Sequence, residues 1–449
     1  MKISKFIKSN VLILVASLAM VSCIENDLPY PDIQANFTNI IAEHQYQKAA
    51  IDSINRTVTL YLNDSADITN VNITEYTLSE GATLVTPIEI SGGIDLSQPL
   101  NVTLKLYREY NWVISAYQST TKGVNAWSKV AWVYGSAEEG KDNGVEYRKA
   151  SENTWTKVPA NWITHNGGDF TARIIHLEPQ TKYFARTYSN NEYGEEAEFT
   201  TGSIVQVPNS NFDNWWQDGS TWCPWSENDS TPFWGTGNKG TSILKTSISV
   251  PTDETATGNG SAAKLETRII LTRLAAGNIF TGEYIKNDGL NGILDFGRKF
   301  SHRPTKLKGY YKYDCKTINK TNSKLEVMEN MVGQPDTCSI WIALTDWDGP
   351  FQIRTDPENQ QLFDENAPYV IAYGRFQSGE TNKAYPNYET FEIELNYNDI
   401  QRVPKYIVIA ASASKYGDFF TGGDGSTLYV DEFELVYDYD DDDPIKIGK

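Results

Sequence analysis

"YIVIAASASKYGDFFTGGDGSTLYVDEFEL" spans Tyr406 to Leu435. Its two ends read as strands. "YIVIAASAS" is a short apolar run of the kind buried on both faces, and Thr427–Leu435 is rich in β-branched and aromatic residues. Between them lie four glycines, Gly417, Gly422, Gly423 and Gly425, interrupted by Tyr416, Asp418, Phe419 and Phe420. Glycines at these places permit the positive-φ turns of a sharply doubled path. A plain hairpin connection needs no aromatics. Two phenylalanines beside an acid predict that the loop folds back over the sheet and shapes the edge of a site.

Outward from this block the pattern stays β. Long helical periodicity is absent, and strand-like runs recur with turn signals between them, which predicts an all-β chain. Residues 27–119 carry "RTVTLYL", "VNITEYTL" and "LNVTLKLYREYNWVISAY", the last read as two strands joined at "REYN". This suits an immunoglobulin-like sandwich. Residues 120–202 hold "HLEPQTKYFARTY", in which Leu177, Pro179, Thr181 and Tyr183 match the L-x-P-x-T-x-Y signature of fibronectin type III domains. Residues 207–437 form the largest unit and 438–449 an acidic, solvated tail. Links near 117–122 and 202–208 are expected to separate three independent sandwiches.

The beginning of the chain reads as a lipoprotein signal over residues 1–22. Lys2, Lys5 and Lys8 form a basic region, Val11–Val21 is apolar but too short to span a bilayer, and "LAMVSC" ends in Cys23. Cys23 would carry the lipid, with Glu25 and Asp27 beside it resembling surface-export signals. The expected location is the outer membrane, lipid-anchored and exposed at the cell surface. The formal charge of −19 leaves no basic stripe for phosphates, so nucleic acid is excluded as a partner. Cys315 and Cys338 flank an apparent insertion and are expected to form a disulfide in an oxidising compartment, with Cys223 single. The four histidines, His44, His165, His176 and His302, show no zinc-ligand spacing.

"VPNSNFDNWW" and "STLYVDEFELVY" bound the large unit as the terminal strands bound jelly-roll carbohydrate-binding modules. "NFDNWW", "PFWGTGNKG", "AAKLETR", "AAGNIFTGEY", "LDFGRKF", "RPTKLKGYYKY", "WIALTDW" and "VIAYG" follow in order up to the C-terminal block. Together they resemble the carbohydrate-metabolism domain of Bacteroidetes lipoproteins, a family usually preceded by immunoglobulin-like modules. The resemblance implies a jelly-roll sandwich with a glycan role. The likeness of the terminal strands to carbohydrate-binding modules implies a structural calcium where those strands meet, with Asp213 and Asp431 as ligand candidates.

Sugar sites need flat aromatics beside a few hydrogen-bonding groups. The candidates are Trp222 and Trp225 in "WWQDGSTWCPW", Asn278, Glu283 and Tyr284 in "AAGNIFTGEYI", Asp346 and Trp347 in "ALTDWDGPF", and Tyr416 in the loop. Arg268, Arg273 and Arg298 could bind hydroxyls or an acidic sugar, although Arg on a strand usually pairs with a nearby acid. The expected partner is an oligosaccharide or polysaccharide. The E-x-D-x-x-E strand of jelly-roll glucanases is absent, and Glu392 with Glu394 reads as one face of an edge strand. Three functions compete. Acid pairs converging in one groove would mark a glycoside hydrolase. Aromatics in a groove without such a pair would mark a glycan-binding protein. A flat apolar surface would mark a structural or adhesive one.

Overall fold

The computed structural model describes residues 34–62, 66–85, 93–118, 123–136, 142–167, 169–189, 192–193, 196–322 and 326–441. The signal, Cys23 and the last eight residues, 442–449, lie outside them, as does most of the expected link at 119–122. The protein is all-β and built as sandwiches. No helix among the described residues is long and apolar enough to cross a membrane.

In the first sandwich, Phe37–Ala42 pairs with Ile73–Leu78. They face a five-stranded sheet whose members include Thr57–Leu62, Arg108–Gln118 and Leu100–Leu106. Trp112 fills the core and its indole N–H donates to the carbonyl of Ala35 at 3.0 Å. "REYN" is not the turn of its hairpin. The chain reverses one residue earlier, at the exposed Tyr107, which takes φ +58°, and "REYN" begins the second strand.

The second sandwich joins a sheet containing Ala131–Ser136 and Asp169–Ile174 to one containing Asn143–Lys149 and Lys182–Ser189. Tyr183 is buried, and its hydroxyl accepts the N–H of Glu178 at 2.9 Å across a corner of the chain.

The third sandwich holds the candidate site. Its five-stranded sheet runs Ser249–Thr252, Ala262–Glu266, Thr427–Val436, Lys306–Asp314, Glu389–Glu394. Glu389–Glu394 is an edge strand with Phe391 and Ile393 buried and Glu392 exposed, as its alternation predicts. The opposing nine-stranded sheet has the central order Asn291–Phe296, Asn278–Asp288, Tyr406–Ser412, Cys338–Thr345, Val370–Ser378. Strand period two sends Ile407, Ile409 and Ala411, with Cys338, Ile340, Ile342 and Leu344, into the space between the sheets. Leu428, Val430, Phe433 and Leu435 meet them from the other side. The inward set skips from Val430 to Phe433 because a bulge shifts the register there, with Glu432 at φ +49°.

The second and third sandwiches are not independent. Trp127 stacks between Trp132 and Tyr397, each at 4.5 Å, and belongs to the same buried cluster as the third core. The indole N–H of Trp127 and the amide of Asn125 both donate to the carbonyl of Ile400. The segment 202–208 is correspondingly no free linker. Ser128 donates to the carbonyl of Ser203, Tyr437 to that of Val205, and Gln206 exchanges two hydrogen bonds with the backbone of Leu435. Nor is the start of the acidic tail free, although Asp440 and Asp441 stay exposed. Asp438 meets His176 and Lys129, Asp440 meets Lys306, Asp441 meets His176, and Tyr439 is buried beneath Arg173.

Cys315 and Cys338 are not joined. Cys338 lies on the inward face of its strand and is fully buried, which pushes its thiol up to about 12. The Cys315 thiol donates instead toward the carbonyls of Asp336 (3.2 Å) and Gly379 (3.4 Å).

Candidate functional site

The outer face of the nine-stranded sheet is not left to solvent. It floors a groove of about 380 Å³, walled by loops and hairpins. Strand register builds the floor in rows. Asn278 sits opposite Ser412, Ser412 opposite Ser339, and Ser339 opposite Gln377, giving a polar row. The next row reads Phe280, Ala410, Trp341, Arg375. Trp341 stacks on Phe363 at 4.8 Å and 20°, so a flat aromatic surface lies beside hydroxyls and amides.

The loop of the opening sequence forms a wall. Ser414–Phe420 folds back over the sheet and contributes Tyr416, Asp418, Phe419 and Phe420 to the lining. Gly417 comes so close to Ala276 that a Cβ there would sit 2.5 Å from the alanine methyl, so the path requires glycine. The loop is anchored on Asp336, which is fully buried. Its carboxylate accepts the Ser414 hydroxyl at 2.5 Å and the N–H groups of Gly423 and Thr337 at 2.8 Å. Burial raises its proton affinity, and these hydrogen bonds oppose the rise. Asp424 accepts the N–H of Ile269 at 2.8 Å and so fastens the hairpin Arg268–Ala275, which forms another wall.

Of the eight sugar-site candidates, three line the groove: Asn278, Tyr284 and Tyr416. Asn278 is already engaged, accepting the Gly237 N–H at 2.8 Å and donating to the Ala276 carbonyl at 3.2 Å. Tyr284 donates to Asn287 at 2.6 Å, and burial pushes its hydroxyl up to about 12. The other five lie elsewhere. Asp346 is ion-paired to Arg402, and Trp347 is packed flat on Phe351 (5.0 Å, 15°) within the neighbouring aromatic cluster. Glu283 is exposed on the far side of its strand near Lys239, at 3.8 Å. Trp222 and Trp225 are half-buried away from the groove, and Asn238 donates to the Trp222 carbonyl at 2.8 Å. Sequence reasoning missed Trp341 and Phe363. The signal for Trp341 was the alternation within "CSIWIALT", where Ser339 and Trp341 stand on one face and aliphatics on the other.

The lining carries one carboxylate, Asp418. Its side chain holds no hydrogen bond in the structure. Surrounding protein raises its carboxyl to about 6, although the exposed surface of the residue limits that rise. Three cations also line the groove: Arg273, Arg375 and Lys415.

The expected calcium corner lies on the other sheet. Ser210 accepts the Phe433 N–H at 2.8 Å, so the segment before Asp213 does run beside the last strand. Asp431 is 1% exposed and has no cationic partner among the described residues. Burial, with Asp213 adding to it, pushes its carboxyl up to about 6. The loop 254–261 closes over both acids, Ala256 N–H donating to Asp431 and Ser261 N–H to Asp213, each at 2.7 Å. Phe212 and Glu432, next to the two acids, both hold left-handed backbone. A buried carboxylate, Asp431, beside an exposed one, Asp213, with no counter-cation among the described residues, fits a hard cation at the surface. Among the described residues no third Asp, Glu, His or Cys joins them, so other ligands would be carbonyls or water.

A structure described as a putative glycoside hydrolase from Bacteroides thetaiotaomicron is similar at 16% identity, covering 92% of this chain and 99% of that one with a TM-score of 0.35. Another so described, from Bacteroides vulgatus, shares 21% identity over 50% of this chain and 96% of that one, TM-score 0.37. A surface glycan-binding protein from Prevotella bryantii shares 9% identity over 90% of each chain, TM-score 0.17. At such values none of them carries an argument about function. No curated protein matches the chain. Residues 211–436, the whole sandwich that builds the groove, match the sequence model described as "Putative carbohydrate metabolism domain", and the chain belongs to that family.

Proposed function

We propose that this protein binds glycan in the groove on the outer face of its third sandwich, as a surface lipoprotein in polysaccharide capture or use. One observation carries the reading: a groove floored by Trp341 and Phe363 beside a polar row, with a single lining carboxylate. Stacked rings suit the apolar faces of pyranoses, and Ser339 and Ser412 of the polar row supply hydroxyl partners. Hydrolysis by two carboxyls needs a second acid within roughly 5–9.5 Å of the first. Asp418 is an exposed acid in the lining, which keeps the hydrolase as second reading, but among the described residues no partner acid lines the groove. A concave site also disfavours a purely adhesive face.

The two N-terminal sandwiches, immunoglobulin-like and fibronectin type III-like, serve as spacers from a lipid on Cys23. This part rests on the sequence alone. A glycan array probed with the chain from Asp27 onward, wild-type and Trp341→Ala, tests the binding function. Selective retention of oligosaccharides that Trp341→Ala loses supports it. Release of reducing ends from a retained glycan would move the reading to hydrolysis, and no retention of any glycan would overturn both.

We further propose that Asp213 and Asp431 hold a structural calcium. A ligand that binds only the native state stabilises it by RT ln(1 + [L]/Kd), about 2.7 kcal/mol at a hundredfold excess over Kd. Chelation should lower the melting temperature of the wild type and leave Asp431→Ala unmoved. A chelation-insensitive wild type would end the proposal.

A further inference from the structure

We infer that the ligand of this groove is an acidic oligosaccharide, recognised through an oxyanion substituent, a uronate carboxylate or a sulfate ester. The inference rests on the glycan-binding reading and names its ligand class.

The chain carries a formal charge of −19, yet the groove lining holds three cations against the one acid, Asp418. Two of the cations are held by neutral partners. Lys415 Nζ donates to the Gln377 side-chain oxygen at 3.1 Å and lies 5.2 Å from the Tyr416 ring centroid. Arg273 donates to the Asn291 side chain and the Leu290 carbonyl, with its guanidinium 4.5 Å over the Phe420 ring. Both are posed by aromatics of the groove wall and keep their full charge for a ligand. Arg375 is paired with Glu365, which lies outside the lining. The two buried lysines elsewhere meet acids instead: Lys306 meets Glu392 and Asp440, and Lys312 meets Glu254.

Both cations border the wall loop: Lys415 belongs to Ser414–Phe420 and reaches Gln377, and Arg273 lies over Phe420 and reaches Asn291. A charged group on a short oligosaccharide laid along that wall would reach a cation, with Trp341 in the floor beside it. The acidic exterior does not prevent this. Charges more than a Debye length away, about 8 Å at physiological salt, are largely screened, so the groove's local balance governs what enters.

Calorimetry on the chain from Asp27 onward tests it, with tetragalacturonate, a chondroitin sulfate tetrasaccharide and neutral cellotetraose as probes. At least one acidic probe should bind tenfold or more tighter than the neutral one in 50 mM NaCl, and the preference should shrink in 500 mM. The two acidic probes separate carboxylate from sulfate recognition. Lys415→Met, which keeps the aliphatic stem beside Tyr416, and Arg273→Ala should each weaken the acidic probe about tenfold more than the neutral one. Unchanged melting temperatures would exclude misfolding. Equal binding of neutral and acidic probes, or variants that weaken both alike, would overturn the inference and leave glycan binding standing. Binding of none of the three, with an empty glycan array, would remove both.

Discussion

Removing the Asp336 carboxylate should loosen the groove wall from beneath. In Asp336→Ala, the Ser414 hydroxyl and the Gly423 and Thr337 N–H groups lose their acceptor in a place without solvent. A hydrogen bond to a charged group is worth about 1.5–3 kcal/mol, and an orphaned buried donor costs about 1–3. Three such bonds would sum to more than the residue contributes, because burial already disfavours its charged form. The expected loss is therefore about 3–5 kcal/mol, near the low end of three orphaned buried donors at about 1–3 each. Asp336→Asn keeps the shape but turns one acceptor oxygen into an NH₂ facing N–H donors, and should cost about 1–3 kcal/mol. Because the chain has several sandwiches, one global unfolding energy is a poor readout. Hydrogen exchange at 414–424 is better, and glycan affinity should fall with protection there. Since the folded carboxyl is raised, its contribution to stability is fullest at low pH, below the unfolded value of about 3.9, and is lost as pH rises through the folded value. Protection at the loop that is the same in wild type and Asp336→Ala would refute the anchor.

The joint of the second and third sandwiches should depend on Trp127, 3% exposed, whose truncation to Ala is expected to cost about 3–5 kcal/mol. Limited proteolysis should then cut within 202–208, where the wild type resists; a wild type cut there first would contradict the packed joint. His176, between Asp441 and Asp438, has its pKa raised above the usual 6.5, chiefly by the hydrogen bond to Asp441 and against partial desolvation. Its hold on the tail is complete below about 6.5 and lost as pH rises through the higher folded value. In Asp441→Asn the imidazole midpoint, followed by NMR, should move down, with Lys129 and Asp438 unchanged as neighbours. Peptide mapping of the denatured, unreduced protein should find Cys315 and Cys338 as free thiols, and a linked peptide would restore the bridge.

The fold was largely legible because strands declare themselves locally. The alternation of Glu389–Glu394 placed an edge strand, and the loop after Ser412 was read as a fold-back from its aromatics. Site residues were harder, because a local cluster does not reveal distant partners. Asp346 beside Trp347 looks like a sugar site until Arg402 arrives from 56 residues away. The tail acids look free until His176, Lys129 and Lys306 meet them. Trp341 escaped for the opposite reason: in a run buried on both faces, sequence cannot say which face a loop will leave open.

The same long-range pairing explains why a strongly acidic chain can present a cationic groove. Many of its acids hold specific positions: Glu146 on Arg186, Glu254 on Lys312, Asp440 on Lys306, Asp346 on Arg402. Such pairs join strands and loops, and they commit an acid to each base they hold. What remains to meet a ligand is set by the unpaired residue at each site, not by the formal total. In the groove those residues are Lys415 and Arg273 on one side of the balance and Asp418 on the other. A net charge of −19 therefore argues against a nucleic acid, which needs an extended basic stripe, and is compatible with a short acidic sugar chain that needs only the two cations at the groove wall.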